Sequence, residues 1–416
     1  MERFFIQYMD TEGIWKKNIT FFLTGQTISL FGSMLVQYAI TWYITLETQS
    51  GMMMALSIIC GFVPTFLISP FAGVWADRYN RKLLIILADS MIAVATLVLA
   101  LLFLMDYGSI GLLFAASAVR SLGSGIQTPA IGAYIPQLVP EDQLTRINGT
   151  NSSIQAFVML VAPILSAALL YKATIEAIFF IDVVTAAIAI IILLLFLNVP
   201  AHAKALESIK ISYFEDVREG LAYIRNHRFI KTLFIYTAIN HILISPMAFL
   251  TPLQVTRSFG DDVWRLTAIE VTFSIGMILG GVIMASWGGF KNKSVTIITS
   301  IIVMAACTVA LGIVRVFPVY LFFMAVVGIA IPMLNTPFTV LLQLKVEPDF
   351  QGRVFGVLTM ISSSLMPLAM LVYGPTADFI KIEWLLMVTG VLMLVECFAM
   401  LRNKVIIEAG KVDEIA

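Results

Sequence analysis

The residues of this sequence that are most able to do chemistry are ionisable side chains inside long apolar stretches. Arg120 lies in the interior of the apolar stretch 109–138. A cation near the centre of a bilayer costs at least about 2.5 kcal/mol on insertion scales, so its side chain should face a cavity or an acid. Asp182, inside the stretch 175–197, is the expected partner. The alternative is a static structural pair of Arg120 with either Asp182 or Asp89.

Two other titratable side chains interrupt later apolar stretches. His241 follows Asn240 near the middle of the stretch 229–256. Histidine titrates near physiological pH, so His241 could carry a proton or contact a substrate, or it could be hydrogen-bonded and inert. Glu270 lies a few residues into the stretch 265–288. A carboxyl group is accommodated in a membrane more easily when it is neutral, so Glu270 could be protonated during a functional cycle.

Asp89 and Glu396 are two further acids in apolar stretches, and we expect them to differ from Glu270 in their position relative to the membrane surface. They lie in the stretches 83–104 and 383–401. We expect both side chains to reach the membrane interface at the cytoplasmic ends of these stretches, where water solvates a carboxylate. Both acids are therefore assigned structural roles.

Uncharged polar and aromatic side chains could line a path through the membrane. Amides can hydrogen-bond a solute, and phenylalanine and methionine form adaptable surfaces for bulky lipophilic compounds. The chain has 29 Phe and 21 Met, so most of these must face lipid or protein instead. The candidates for a substrate cavity are Gln26, Gln37, Asn240, Asn335 and Phe338.

The elements that carry these residues must be membrane-spanning helices. Of the 416 residues, 59% are hydrophobic and 12% are charged, whereas a soluble domain carries about 25% charged residues. A helix spans a bilayer with roughly 20 apolar residues, whereas a strand of a membrane barrel needs only about ten. The sequence therefore predicts an all-α integral membrane protein with twelve transmembrane helices in two six-helix bundles. The predicted spans are 18–45, 52–76, 83–104, 109–138, 148–170, 175–197, 229–256, 265–288, 294–314, 318–344, 353–377 and 383–401.

A short charged loop, residues 73–82, separates the second and third predicted spans. Cations next to spans are retained on the cytoplasmic side, so this loop should be cytoplasmic. The even number of spans then places both termini in the cytoplasm, and most of the other Lys and Arg residues between spans fall on the same side. Arg78, Arg81 and Lys82 could bind anionic lipid or nearby acids, and Asp77 could cap a helix N-terminus. The loop could thus latch one conformational state, or it could only set the topology.

A long polar interval, 198–228, divides the predicted spans into two sets of six. Within it, apolar residues from Tyr213 to Ile224 recur near helical spacing. This spacing predicts an amphipathic helix along the cytoplasmic leaflet, and a solvated linker is the alternative. Thr128-Pro129 and Thr336-Pro337 occupy corresponding spans, and a parallel repeat of six spans is typical of a transporter whose bundles rock about a central site. The predicted domains are 1–197, 198–228 and 229–416.

Two of these motifs resemble signatures of the major facilitator superfamily. Its signature between the second and third spans is Gly-x-x-x-Asp-Arg-x-Gly-Arg-Arg/Lys. Asn80 stands where the family usually has glycine, and asparagine is the residue that best tolerates a left-handed turn in its place. Arg120 with the glycines up to Gly125 is similar to the fourth-span signature, whereas the glycine-rich fifth-span signature of antiporters is only faintly present in 162–167. The residues that match the loop signature are Gly73, Asp77, Arg78, Arg81 and Lys82.

Along nearly its whole length, the chain looks most like the macrolide-efflux and siderophore-exporter branch of this superfamily. The segments that carry this resemblance are 127–130, 138–144, 180–184, 269–277 and 352–355. The resemblance implies a secondary active exporter that moves amphipathic organic compounds, such as macrolide-like drugs, out of a bacterial cell across its inner membrane. It implies that Arg120 couples proton movement to transport, and Asp182, His241 and Glu270 are further candidates for this role.

The expected energy source is an ion gradient. The sequence has no phosphate-binding Gly-x-x-x-x-Gly-Lys loop and no nucleotide domain. The expected partners are a small amphipathic substrate, protons and membrane lipids, for a monomer that is not an enzyme and has no nucleic-acid partner, cofactor or metal. Cys60, Cys307 and Cys397 are expected to pack as small hydrophobic side chains. An exporter or permease of a physiological solute, such as a siderophore or lipid, and a non-transporting membrane sensor are the alternatives.

Overall fold

The computed structural model describes residues 2–140, 143–197 and 213–410, and every regular element in these ranges is a helix. All twelve predicted spans lie in α1–α6 and α8–α13, so the all-α membrane fold is confirmed. The helices are α1 (Glu2–Thr48), α2 (Gly51–Arg78), α3 (Arg81–Leu104), α4 (Ile110–Leu138), α5 (Leu144–Lys172), α6 (Ile175–Phe196), α7 (Tyr213–Asn226), α8 (Arg228–Phe259), α9 (Val263–Trp287), α10 (Lys293–Ile313), α11 (Phe317–Lys345), α12 (Pro348–Phe379), α13 (Ile382–Arg402) and α14 (Lys404–Ala409).

Most of these helices have the length and composition of a membrane span. Within the described ranges, 11 helices are long and apolar enough to cross a membrane. Among the helices that contain a predicted span, α4 is long enough but not apolar enough to meet this criterion. Arg120 and several serine, glutamine and glycine residues interrupt its apolar sequence. The same polar residues are those that make α4 a candidate for function.

The chain forms two compact units whose boundary differs from the predicted one. The first unit contains residues 2–41 and 60–197, and the second contains Trp42–Ile59 and residues 213–410. The prediction placed residues 42–59 entirely in the first bundle. In the structure, the C-terminal end of α1, the N-terminal end of α2 and the turn between them belong to the second unit.

Asparagine side chains start the third helix of each half. The Asn80 side chain caps α3 by accepting a hydrogen bond from the Leu83 N–H, 3.4 Å away. Asn292 caps α10 in the same way, with the Ser294 N–H 3.0 Å away. Asn80 has φ −63° and is extended. Our expectation that asparagine replaces glycine here for a left-handed turn is therefore wrong, and its role is that of a helix cap.

Close approach of α9 and α11 depends on glycine in the second unit. A Cβ added to Gly276 would lie 2.2 Å from the Ala325 carbonyl oxygen, and one added to Gly328 would lie 2.3 Å from the Phe273 carbonyl oxygen. Both obstacles are backbone atoms, which cannot rotate away. Small residues let membrane helices approach closely in this way.

Replacing Gly276 with alanine should lower the thermal stability of the protein. The added methyl group must push α11 away from α9, and overpacking of this kind costs about 1–2 kcal/mol. The measurement is the melting temperature of the purified protein in detergent. Gly281→Ala is the matched control on α9, because a Cβ at Gly281 meets no atom within 4 Å. Equal melting temperatures for the two variants would contradict the proposed role of Gly276.

The predicted amphipathic helix is present as α7 (Tyr213–Asn226), and part of its described surface packs against protein. The side chains of residues 213–217 lie outside the described part of the chain. Ile224 is buried, Leu221 is exposed, and the Tyr223 ring stacks on Phe350 of α12 with ring centroids 4.5 Å apart. Among the described side chains of α7, Tyr223 contacts α12 and Leu221 stays exposed, and the position of the helix along the cytoplasmic leaflet stays a prediction.

Candidate functional site

Two cations of the loop at 73–82, Arg81 and Lys82, connect helix ends in the first unit. Arg81 donates from Nε to the Ala76 carbonyl oxygen, 2.7 Å away, and from Nη1 to the Ala133 carbonyl oxygen, 2.8 Å away. Lys82 Nζ donates to the carbonyl oxygen of Leu197, 2.6 Å away. These carbonyls lie near the C-terminal ends of α2, α4 and α6, where cations are favoured. Backbone carbonyls therefore accept hydrogen bonds from both Arg81 and Lys82, and the expected contacts with lipids or acids stay a prediction.

The other members of the predicted latch receive less support from the geometry. Gly73 lies inside α2, and a Cβ there would meet no atom within 4 Å, so packing does not require glycine. The side chains of Asp77 and Arg78 lie outside the described residues. The latch therefore stays a prediction.

Arg120 and Asp182 form a buried ion pair between α4 and α6. Arg120 Nη1 donates to Asp182 Oδ2 and to the Thr96 hydroxyl, and Nη2 donates to the Ser33 carbonyl oxygen at 3.1 Å. The Ser33 hydroxyl donates to Asp182 Oδ1 at 3.2 Å. The exposed fractions of the two charged side chains are 6% and 0%. The predicted pairing is confirmed, and both carboxylate oxygens of Asp182 have partners.

Asp89 and Glu396 are buried away from water. Asp89 is 1% exposed and Glu396 is 6% exposed, so the expectation that water solvates these two carboxylates is wrong. Helix packing explains the burial, because α1 and α4 cover Asp89. Asp89 lies eight residues after the first residue of α3, which is roughly 12 Å along the helix at a rise of 1.5 Å per residue. Glu396 lies between α13 and α8, where Asn240 Nδ2 is 3.5 Å from Glu396 Oε2. One oxygen of each carboxyl, Asp89 Oδ2 and Glu396 Oε1, has no hydrogen-bond partner within the described residues.

A polar cavity of about 480 Å³ lies in the first unit. Arg120 contributes to its wall, together with amide side chains from three helices. Two of the predicted substrate-cavity residues, Gln26 and Gln37, are among them. The polar side chains of the wall are Gln26, Thr27, Ser29, Ser33, Gln37, Ser117, Arg120, Ser121, Ser124, Gln127, Thr128, Asn148, Asn151 and Gln155.

A smaller pocket of about 150 Å³ lies in the second unit. Asn240, His241, Asn335 and Phe338 all line it, so the structure brings these four predicted residues together. His241 Nδ1 is 2.8 Å from the Thr237 carbonyl oxygen. A carbonyl oxygen can only accept, so Nδ1 carries a proton in this contact, and Nε2 of a neutral ring is an acceptor.

Glu270 is separate from both cavities. It lies on α9, is half-buried, and lines neither the first-unit cavity nor the second-unit pocket. Within the described part of the chain, the structure gives it no hydrogen bond and no ion pair. Its predicted role in proton coupling therefore has no support from its contacts.

The sequence did not reveal one polar cluster of the second unit, which we call the Asp378 clamp: residues Gln49–Met52, Arg257 and Asp378. Asp378 accepts hydrogen bonds from the Gly51 N–H at 2.6 Å, the Met52 N–H at 3.0 Å and the Ser50 hydroxyl at 2.9 Å. Arg257 lies 3.0 Å from Asp378 and also donates to the Gln49 carbonyl oxygen. Gln49 has φ 45°, in the left-handed region, so the turn before α2 is tight.

A signal for the clamp is present in the sequence. Arg257 and Asp378 each lie one residue beyond the end of a predicted span, and both ends were assigned to the same side of the membrane. Opposite charges at matching depth can pair across helices. The pairing was missed because 121 residues separate the two side chains and the third partner is a backbone turn.

Comparisons with known proteins agree on one family. The family model described as "Major Facilitator Superfamily" matches residues 22–370. "Macrolide efflux protein A" of Streptococcus pyogenes is 30% identical over 391 residues, which cover 93% of this chain and 96% of that protein. "Macrolide efflux protein A" of Enterococcus faecalis is 29% identical over 323 residues, which cover 77% of this chain and 99% of that protein.

Solved structures show the same fold. A crystal structure of a POT family transporter in complex with a thioalcohol-conjugated peptide matches with a TM-score of 0.72 and 13% identity. The match covers 92% of this chain and 95% of that structure. At this level of identity, the likeness concerns the fold alone.

Proposed function

Because the chain belongs to the major facilitator superfamily and is a membrane transporter for small molecules, we propose that it exports amphipathic organic compounds such as macrolide-like drugs by proton-coupled antiport. Alternating access would move the substrate across a bacterial inner membrane, with both termini in the cytoplasm. The protein would act as a monomer, with protons and membrane lipids as its other partners. The macrolide efflux relatives, which match over most of the chain, support the substrate class.

The observation that carries this proposal is the cavity of about 480 Å³ in the first unit. Its wall combines neutral amides, including Gln26 and Gln37, with Arg120, whose ion-pair partner Asp182 is buried behind the wall. Neutral amides can hydrogen-bond the many hydroxyl and carbonyl groups of a macrolide without demanding a charge on it. A channel for inorganic ions would instead need rings of charges or carbonyls.

The second unit supplies a mainly apolar surface for the same substrate class. Phe338 offers an aromatic face, while Asn240 and Asn335 offer hydrogen bonds. We propose that these side chains contact the apolar parts of the substrate during the transport cycle.

Arg120 and Asp182 provide the charge centre of the proposed coupling. Protonation of Asp182 would leave the guanidinium of Arg120 buried without its anion, and a buried charge without its partner is strongly destabilising. We therefore assign to the pair the role of a fixed charge, which orders the cavity wall while a proton is exchanged elsewhere.

The experiment that tests the function is transport of a radiolabelled macrolide into proteoliposomes with an imposed pH gradient. An exporter coupled to protons should accumulate the macrolide only when the gradient is present, and a protonophore should abolish accumulation. If neither the macrolide nor any other lipophilic compound shows gradient-dependent flux, the antiport proposal is wrong. Gradient-dependent flux of a siderophore in place of macrolides would favour the physiological-solute alternative.

His241→Ala should weaken substrate binding without changing the maximal rate. The ring lies in the wall of the second-unit pocket, where it can offer one hydrogen bond, and such a bond contributes about 0.5–1.5 kcal/mol, which corresponds to a rise in KM of roughly 2- to 10-fold. The measurement is the concentration dependence of macrolide flux. Ile235→Val, on the same helix but exposed and outside that pocket, serves as the control. An unchanged KM would return His241 to a purely structural role.

A further inference from the structure

Asp89 differs from the other acid of the first-unit interior in having no cation. Asp182 is paired with Arg120, and partners occupy both of its oxygens. Asp89 receives two hydrogen bonds on Oδ1, from the Ser29 hydroxyl at 2.8 Å and from Gln127 Nε2 at 2.7 Å. Its Oδ2 has no partner within the described residues, although the side chain is 1% exposed. A buried carboxylate in this state is costly unless a proton or another ligand reaches the free oxygen.

The charged groups around Asp89 provide no cation that could pair with its free oxygen, Oδ2. The helices packed around it are α1, α4 and α6, and Asp89 itself is on α3. Between residues 18 and 46 of α1, and in α4 and α6 beyond Glu176 at the start of α6, the charged groups are Arg120 and Asp182. Lys16 and Lys17 of α1 are exposed and lie at least 12 residues before Ser29, which is roughly 18 Å along the helix. Arg120 and Asp182 neutralise each other, so no cation remains to hold Asp89 in its ionised form.

Gln26 lies beside the Asp89 carboxyl and can serve both of its forms. Gln26 is buried, and its Nε2 also has no hydrogen-bond partner within the described residues. The amide nitrogen can donate to an ionised carboxylate, and after rotation of the amide its oxygen can accept from a protonated one. A residue that can satisfy either form suits a carboxyl that changes its charge during a cycle.

Water in the cavity can reach this carboxyl through a single layer of side chains. Gln26, Ser29 and Gln127 all line the cavity of about 480 Å³, whereas Asp89 lies directly behind them. The Ser29 hydroxyl can both donate and accept, so it can relay a proton between cavity water and the carboxyl. Protonated Asp89 would pass its proton through Ser29 to cavity water, and the carboxylate would regain a proton from cavity water along the same path.

We propose that Asp89 is the side chain that binds and releases the coupled proton, with Gln26, Ser29 and Gln127 connecting it to the cavity. The proposal rests on the proton-coupled function proposed above for the protein. In this proposal the two acids have different roles: Asp182 keeps its ion pair with Arg120, and Asp89 gains and loses the coupled proton.

Infrared difference spectroscopy of the purified protein tests this assignment without any substrate. A pH change should alter the carbonyl stretching band of protonated carboxyls in the wild type, and Asp89→Asn should remove the component of that band that belongs to Asp89. Glu396→Gln is the matched control, because Glu396 is also buried with one unpartnered oxygen, and its variant should keep the Asp89 component whatever Glu396 itself contributes. Persistence of the full signal in Asp89→Asn would overturn the proposal.

Transport assays of the same variants separate the proton site from the wider function. Asp89→Asn should still bind a macrolide but should lose gradient-driven accumulation, whereas Asp89→Glu should keep accumulation with a displaced pH profile. A folded Asp89→Asn protein with wild-type gradient dependence would also overturn the proposal. If the wild type itself transports no macrolide, the proposed function fails, while the infrared signal still decides whether Asp89 exchanges a proton.

Discussion

Arg120→Ala should abolish gradient-driven transport and markedly destabilise the protein. The substitution leaves Asp182, which is 0% exposed, as a buried carboxylate without a cation. Removal of one partner from a buried ion pair costs about 3–5 kcal/mol. The hydroxyls of Thr96 and Ser33 would remain as neutral donors, which cannot replace a guanidinium. Macrolide flux into proteoliposomes and the melting temperature in detergent measure the two effects.

A double variant separates transport from stability at this pair. Arg120→Met combined with Asp182→Leu removes both charges and keeps much of the side-chain volume, so it should recover most of the lost melting temperature. Transport should stay absent, because the cavity wall would lack its charge centre. If the double variant transported like the wild type, the pair would be structural and its assigned part in coupling would be refuted.

Asp378→Ala should loosen the start of α2. The side chain accepts two backbone N–H bonds and one hydroxyl bond at that helix end, and a carboxylate at a helix N-terminus is favoured by the exposed amides. We expect a local cost of about 2–3 kcal/mol, which corresponds to amide hydrogen exchange roughly 30- to 150-fold faster at residues 50–54. Hydrogen exchange followed by mass spectrometry measures this rate.

Glu383→Ala is the matched control for the Asp378 clamp. Glu383 lines the same cavity of about 430 Å³ as Asp378 and accepts a hydrogen bond from the Ser258 hydroxyl at 2.6 Å. It has no recorded contact with residues 49–52, so its removal should leave exchange at residues 50–54 unchanged. Equal exchange rates in Asp378→Ala and the wild type would show that the acid does not hold this turn.

The helices and the central ion pair could be predicted because membranes impose strong rules. Long apolar stretches can only be helices in lipid, and this rule placed every span. A cation at the depth of Arg120 requires an anion at similar depth, which identified Asp182. The four predicted residues of the second-unit pocket also came together, since polar side chains in apolar helices avoid lipid.

Other features depend on packing that no local pattern encodes. The burial of Asp89 and Glu396 could not be predicted from their distance to a span end, because neighbouring helices decide whether water reaches that depth. The role of Asn80 was misjudged because its backbone conformation follows from where α3 begins. The Asp378 clamp joins side chains to a backbone turn more than 300 residues away in sequence, and a turn carries no charge pattern to match.

The polar character of α4 also affects how the chain is made. Arg120 is synthesised 62 residues before Asp182, which at about 5–20 residues per second is an interval of roughly 3–12 s. Ser33 and Thr96, whose oxygens also accept from Arg120, are already present when α4 emerges. Early folding of α4 in the bilayer can therefore use these neutral acceptors on α1 and α3, and the anion arrives only with α6.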